Sequence, residues 1–199
     1  MKIVVVGGNG TIGSQVVKKL SPNHEIIIAS RTNGDYKLDM TSLESIKQMY
    51  EDIGKIDAVV SAAGSTHYEH LSEMTPELNE IGVMSKIKGQ INLVLIGQHY
   101  INDGGSFTLT SGILMDDPIL QGSSAAMANG AIAGFVRSAA IELKRGVRIN
   151  AVSPNLLRES IDVFGDYFKG FNPVPGEQVA NAYLKSVEGA QTGQVYKVY

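Results

Sequence analysis

The sequence predicts an α/β fold: one doubly wound parallel sheet of about seven strands with helices on both faces. Three observations predict it. Val4-Val5-Val6 is a β-branched run that passes at once into a glycine-rich turn, after which Ile12, Val16, Val17 and Leu20 recur at helical spacing. Segments of strand character then alternate with segments of helical period along the chain. The strands have apolar centres, Ile26-Ile27-Ile28 being the clearest, as burial on both faces of a parallel sheet requires.

In chain order, the first strand and helix are followed by a second strand, Glu25 to Ser30, and a polar turn from Arg31 to Asp35. Lys37-Leu38-Asp39 reads as a short third strand, and Thr41 or Ser42 can cap a helix running to about Asp52. Ile56 to Ser61 is the fourth strand and ends in Ala62-Ala63-Gly64. Ser65 to Pro76 reads as a loop or short helix, followed by a long helix from about Glu77 to Tyr100. Ser106 to Thr110 is the fifth strand, Ser123 to Arg145 a helix rich in Ala and Gly, and Val147 to Val152 the sixth strand. Helices over Leu156 to Lys169 and Glu177 to Glu188 precede a final strand, Gln194 to Val198. No linker or repeat divides the chain, so a single domain over 1–199 is expected.

The chain has 199 residues, a formal net charge of -3 and no cysteine, so thiolate catalysis, disulfides and Cys-based metal sites are excluded. No block of Lys and Arg points to a nucleic acid. No apolar run approaches the ~18 residues of a membrane span, and the strand that begins at the second residue leaves no signal peptide, so a cytoplasmic protein without membrane partners is expected. Nothing has the spacing of a metal site.

Gly8, Gly10 and Gly13 satisfy G-x-G-x-x-G, in which glycines permit the turn, a close backbone approach to a pyrophosphate and tight packing of helix on strand. The helix N-terminus then offers unpaired N–H groups to phosphate. A glycine-rich turn of this kind is also a purely structural solution. The second strand ends in Ser30-Arg31-Thr32 without a carboxylate that would bind both ribose hydroxyls and repel a 2′-phosphate. A hydroxyl and a guanidinium suit that phosphate instead, which favours NADP(H) over NAD; Arg31 as a solvated turn residue is the alternative.

With these features in place, the chain resembles the short-chain dehydrogenase/reductase family over its whole length. The matching stretches are Gly7 to Gly13, Leu38-Asp39-Met40, Ala62-Ala63-Gly64, Leu109-Thr110-Ser111-Gly112, Arg148 to Pro154 and Thr192-Gly193-Gln194-Val195. The resemblance implies a Rossmann-like domain in which Gly7, Asn9, Gly10, Thr11, Ile12 and Gly13 hold the dinucleotide. It also implies that Asp39 and Met40 meet the adenine, that Ala62, Ala63 and Gly64 let the cofactor lie close, and that Pro154 flanks the carboxamide. Ser111 would hold the carbonyl of a small carbonyl or alcohol substrate. For Asp39 a helix-capping role is the alternative. The resemblance further implies a homodimer or homotetramer through the helix from Ser123 and the long helix before it.

The catalytic signature departs from the family. Where the family has a Tyr and, four residues later, a Lys that lowers its pKa, the alignment puts Ala125 and Asn129. Lys86, three residues before Gly89, stands where the family has Asn, so two residue types have exchanged places. Lys86 can supply the missing cation from the opposite helix, or be a solvated surface lysine. His67 and Tyr68 are the other candidate proton donors, while Ser123 and Ser124 read as helix caps. An NADP(H)-dependent oxidoreductase with a non-standard proton donor is the leading expectation; a non-catalytic NADP-binding sensor or structural subunit is the alternative. Phe164, Tyr167, Phe168 and Phe171 either line a substrate pocket or pack into the core.

Overall fold

The structure is a computed structural model describing residues 1–199. Seven strands form one wholly parallel sheet: β1 (Lys2–Val6), β2 (Glu25–Ser30), β3 (Tyr36–Lys37), β4 (Ile56–Ser61), β5 (Ile101–Thr110), β6 (Arg148–Pro154) and β7 (Val195–Val198). Their spatial order is β3-β2-β1-β4-β5-β6-β7. Val4 faces Ile27 on one side and Val59 on the other. The chain therefore winds outward from β1 to β3, returns to β4 and winds outward the other way. A crevice opens where that direction reverses, above the carboxyl ends of β1 and β4.

Alternation along β1 sends its side chains to two cores. Val4 and Val6 join Val59, Phe107 and Ile149 beneath α2 (Leu43–Ile53), α4 (Gln90–Gly97) and α5 (Ser123–Glu142). Ile3 and Val5 join Ala58, Val60 and Val152 beneath α1 (Thr11–Leu20) and α7 (Gly176–Glu188). The apolar strand centres are thus explained by burial on both faces. No helix is long and apolar enough to cross a membrane.

Several elements differ from the sequence reading. The third strand covers Tyr36–Lys37 only, because Asp39 turns the chain by accepting hydrogen bonds from the N–H and hydroxyl of Thr41 at 2.9 and 2.8 Å. Of the two candidate caps, Ser42 is the one that caps α2, and it accepts from the N–H of Ser45 at 3.2 Å. The fifth strand starts five residues early because Ile101 pairs with Ile56 before the register shifts. The helix from Ser123 stops at Glu142, since Leu143 is extended with a ψ of 126°, and the chain then turns at Arg145 and Gly146 with φ of 59° and 69°.

Two corrections bear on the site. The stretch from Glu77 to Tyr100 is not one α-helix: α3 (Pro76–Gly82) passes into a π-helical segment, Val83–Gly89, and only then into α4. Glycines close the segment at both ends through tight contacts, for a Cβ on Gly89 would lie 2.6 Å from Met40 Cε and one on Gly82 2.9 Å from Ser124 Oγ. Leu156 to Lys169 holds only a 3-10 turn, Arg158–Ser160, and the four-residue α6, Ile161–Phe164. Leu156 and Leu157 are drawn into the interior, and a bridge from Leu157 to Val174 pins the segment as an irregular flap.

Candidate functional site

The crevice holds two adjoining cavities, of about 460 and 220 Å³, that share Ala62, Ala63 and Gly64. Strand ends and glycines build the larger one. Gly7 adopts φ +78°, where a side chain is strained, and the Cβ it lacks would lie 2.9 Å from that of Ala63. Gly13 brings α1 down onto the turn; a Cβ there would lie 2.0 Å from the carbonyl oxygen of Gly7. Gly10 lines the cavity and forms the N-cap of α1, which has no side-chain cap and no acidic residue in its first turn. Gly8 packs instead against Ile28. Bare backbone, methyl groups and an uncapped helix terminus form a floor that fits a dinucleotide pyrophosphate.

Around this floor, Arg31, Thr32 and Asp39 are exposed and line the larger cavity with Ser30 and the buried Met40. The hydrogen bonds from Thr41, aided by the charge of Arg31, hold the Asp39 carboxyl below the usual carboxylate range. Asp39 thus makes an Asx-type turn and leaves the capping of α2 to Ser42. Ser30 Oγ and Asn9 Nδ2 both donate to the carbonyl of Asn33, so they brace the turn over which Arg31 is presented. Thr11 is exposed at the start of α1, while Ile12 reaches the smaller cavity.

The smaller cavity brings together Ser111, Lys86, Asn129, Tyr68 and Pro154, which are widely spaced in sequence. The Ser111 N–H donates to the Val152 carbonyl at 2.8 Å, fixing the end of β5, and its hydroxyl donates to the Asn129 carbonyl at 2.8 Å. Lys86 Nζ donates to the Ser111 carbonyl at 3.1 Å. The half-buried Lys86 lies along Gly64, whose φ of +129° brings its Cα so close that a Cβ would be 3.0 Å from the Lys86 Cα. Although part of its surface reaches the crevice, burial lowers the Lys86 pKa from 10.5 to about 8 by disfavouring the charged form. Asn129 is 3% exposed, and its Oδ1 has no hydrogen-bond partner.

Tyr68 stands at the outer end, its ring centroid 6.1 Å from that of Phe164 and 6.0 Å from that of Tyr167, and burial pushes its phenol up. Ala125 is buried against Ile113 and Leu114 where the sequence comparison with the family placed a Tyr. His67 lines neither cavity and lies 3.9 Å from Glu69, so the fold does not bring it to Ser111.

Gln90 belongs to the site's framework and was not singled out by sequence. Fully buried, it donates to the carbonyls of Lys86 and Thr110 at 3.1 and 2.9 Å and accepts from the Thr110 N–H at 2.8 Å. One amide thereby ties the π-helical segment to the end of β5. Its signal was a polar residue opening the otherwise apolar run Ile91 to Ile96. Ser160, Leu156 and Leu157 also line the smaller cavity because the flap is irregular.

A family model described as Enoyl-(Acyl carrier protein) reductase matches residues 8–196. The crystal structure of the protein lin1944 from Listeria innocua is 56% identical, covers 100% of both chains and superposes with a TM-score of 0.99. A small-chain dehydrogenase crystallised in complex with NADPH is 27% identical over 100% of this chain and 96% of its own, with a TM-score of 0.89. Versicolorin reductase 1 of Dothistroma septosporum is 27% identical over 191 residues, which is 88% of this chain and 71% of that protein.

Proposed function

Since this chain belongs to the short-chain dehydrogenase/reductase family, a family of oxidoreductases, we propose that it uses NADP(H) to interconvert a small carbonyl compound and its alcohol, with Lys86 as the proton donor. The observation that carries this reading is the Lys86 ammonium, 3.1 Å from the Ser111 carbonyl and the only charged side chain lining the smaller cavity.

The glycines of the first turn and the N-terminus of α1 hold the pyrophosphate, Asp39 and Met40 meet the adenine, and Arg31 faces the 2′-phosphate. When bound, the nicotinamide supplies or accepts hydride. Ser111 Oγ turns from the Asn129 carbonyl to the substrate oxygen, and Lys86 Nζ delivers the proton to that oxygen. Lys86 and Tyr68 are the ionisable groups lining the cavity. An ammonium with a pKa near 8 is a stronger acid at neutral pH than a phenol raised by burial, which favours Lys86. The small-chain dehydrogenase crystallised in complex with NADPH, 27% identical to this chain, supports the choice of cofactor.

Titration of the protein with NADPH and NADH tests the cofactor half. Arg31→Ala is expected to weaken NADPH binding by about tenfold, the loss of a charge-assisted contact, and to leave NADH binding unchanged. Equal effects on both would remove Arg31 from the phosphate. The absence of an ionisable side chain at Ala125 and Asn129 favours the alternative of a non-catalytic NADP-binding sensor; tight NADPH binding without turnover of any carbonyl would select it.

We also propose a homodimer or homotetramer. Leu95 on α4 and Met127 and Ile141 on α5 are exposed, and Gly130 and Gly134 leave open space beside them for a partner helix. Light scattering at micromolar concentration is expected to give a mass of at least two chains; a single-chain mass would refute the assembly.

A further inference from the structure

We propose that the substrate is a small, uncharged carbonyl compound with a flat apolar body, seated between Ala125 and the aromatic flap with its oxygen at Ser111. This rests on the reductase reading above and adds the chemical class of its substrate.

Charge is the first ground. The smaller cavity contains no carboxylate, guanidinium or imidazole, and its single ammonium sits at the junction with the larger cavity, beside Gly64, engaged by the Ser111 carbonyl. A substrate carrying a carboxylate or phosphate on its body would bury that charge unpaired at the outer end.

Hydrogen-bonding capacity is the second ground, and it argues against sugars and other polyols. Both polar atoms of the Asn155 side chain have a protein partner: its Nδ2 donates to the Asn172 carbonyl at 3.0 Å and its Oδ1 accepts from the Leu156 N–H at 2.7 Å. Thr110 Oγ1 is taken by the Ser61 carbonyl and the Tyr183 hydroxyl. The unpartnered Asn129 Oδ1 adjoins Ser111, where one oxygen is to be held, and beyond Lys86 the hydroxyls of Tyr68 and Ser160 are the only other side-chain polar groups left to a substrate along the lining.

Shape is the third. Ile113, Leu114 and Ala125 form a separate apolar cluster, with the rings of Tyr68 and Phe168 packed on it. Ala125 lines the cavity together with the rings of Tyr68, Phe164 and Phe168, so a flat body seated there meets a methyl group and aromatic faces. At about 220 Å³ the cavity falls below the ~300 Å³ at which drug-sized sites begin, and part of it lies beside Pro154 where the nicotinamide would sit, so the body is small.

The full-length protein with NADPH is assayed on benzaldehyde and para-carboxybenzaldehyde, which share ring and carbonyl and differ by one carboxylate. Reduction of benzaldehyde with a kcat/KM at least about tenfold higher is expected; equal or reversed efficiency would overturn the substrate class and leave the reductase reading standing. Binding of benzyl alcohol and para-carboxybenzyl alcohol in the presence of NADP+ is read separately by calorimetry. Preferential binding of the neutral alcohol without any turnover would support the class and sink the reductase reading, and binding of neither would overturn the class. Ala125→Leu, which enlarges a side chain lining the cavity, is expected to weaken binding of benzyl alcohol by about tenfold while NADPH binding is kept. Unchanged binding of the alcohol would overturn the proposed seat.

Discussion

Replacing Lys86 with Met is expected to lower carbonyl reduction by ~100- to 10,000-fold, the range that a general acid contributes, and to weaken NADPH binding. The pH dependence follows from the direction of proton transfer. Reduction needs the protonated ammonium, so its rate is expected to hold below pH 8 and to fall as pH rises through about 8, where the half-buried Lys86 loses its proton. Alcohol oxidation needs the free amine and is expected to rise through the same region. Lys86→Arg retains charge but holds its proton at all accessible pH, so it should preserve NADPH affinity better than Met and still lose turnover. Steady-state rates in both directions across this pH range check these outcomes; a Met variant with undiminished turnover would remove Lys86 from the chemistry.

Stability should move the opposite way. The unfolded lysine keeps its proton up to pH 10.5, whereas the folded one releases it at about 8. Folding therefore carries its full penalty below pH 8, and stability rises between 8 and 10.5 as the unfolded state alone still binds the proton. The Met variant is expected to gain on the order of 1–2 kcal/mol at neutral pH, measured by urea unfolding.

Gly13→Ala carries the second large effect. Its new methyl would lie 2.0 Å from the Gly7 carbonyl oxygen and 2.8 Å from the Gly7 carbonyl carbon and Gly8 Cα. All three are backbone atoms of the turn, so α1 must lift or the turn must open. The loss is expected at or above the upper end of the ~1–3 kcal/mol typical of overpacking, with NADPH binding lost alongside. Gly10→Ala is the contrasting variant. A methyl there meets only the Gly7 carbonyl oxygen, at 3.4 Å, and otherwise enters the crevice. It should weaken NADPH binding and cost no more than about 1 kcal/mol of stability, the scale of a changed N-cap. Denaturant unfolding and NADPH titration of both variants separate the two roles; equal stability losses would contradict the geometry.

These two sites also divide what could be read from sequence. Gly13 is a local matter: strand, turn and helix lie within a few residues, and the close contact with Gly7 is written in their spacing. Lys86 is different. Its placement depends on the π-helical segment, on Gln90 tying that segment to Thr110, and on Gly64 packing along its backbone. Apolar residues from 77 to 100 have the period of a continuous helix, which concealed the wider turn. His67 adjoins Tyr68 in sequence yet falls outside both cavities, because the chain after Gly64 follows an irregular path that no periodicity reports. The flap shows the same limit, since Leu156 and Leu157 answer to the interior rather than to a helical period.

By itself the sequence determined the alternation of strands and helices, the parallel sheet and the glycine turn at the reversal of its winding. Apolar period, β-branched runs and glycines of obligatory close approach act over short stretches of chain. Tertiary structure alone decided that Lys86, 25 residues from Ser111 along the chain, would share a cavity with it, that Ala125 would line that cavity beside aromatic rings, and that His67 would be left out. Those outcomes arise from packing between distant segments, where the burial of one side chain sets the position and the protonation of another.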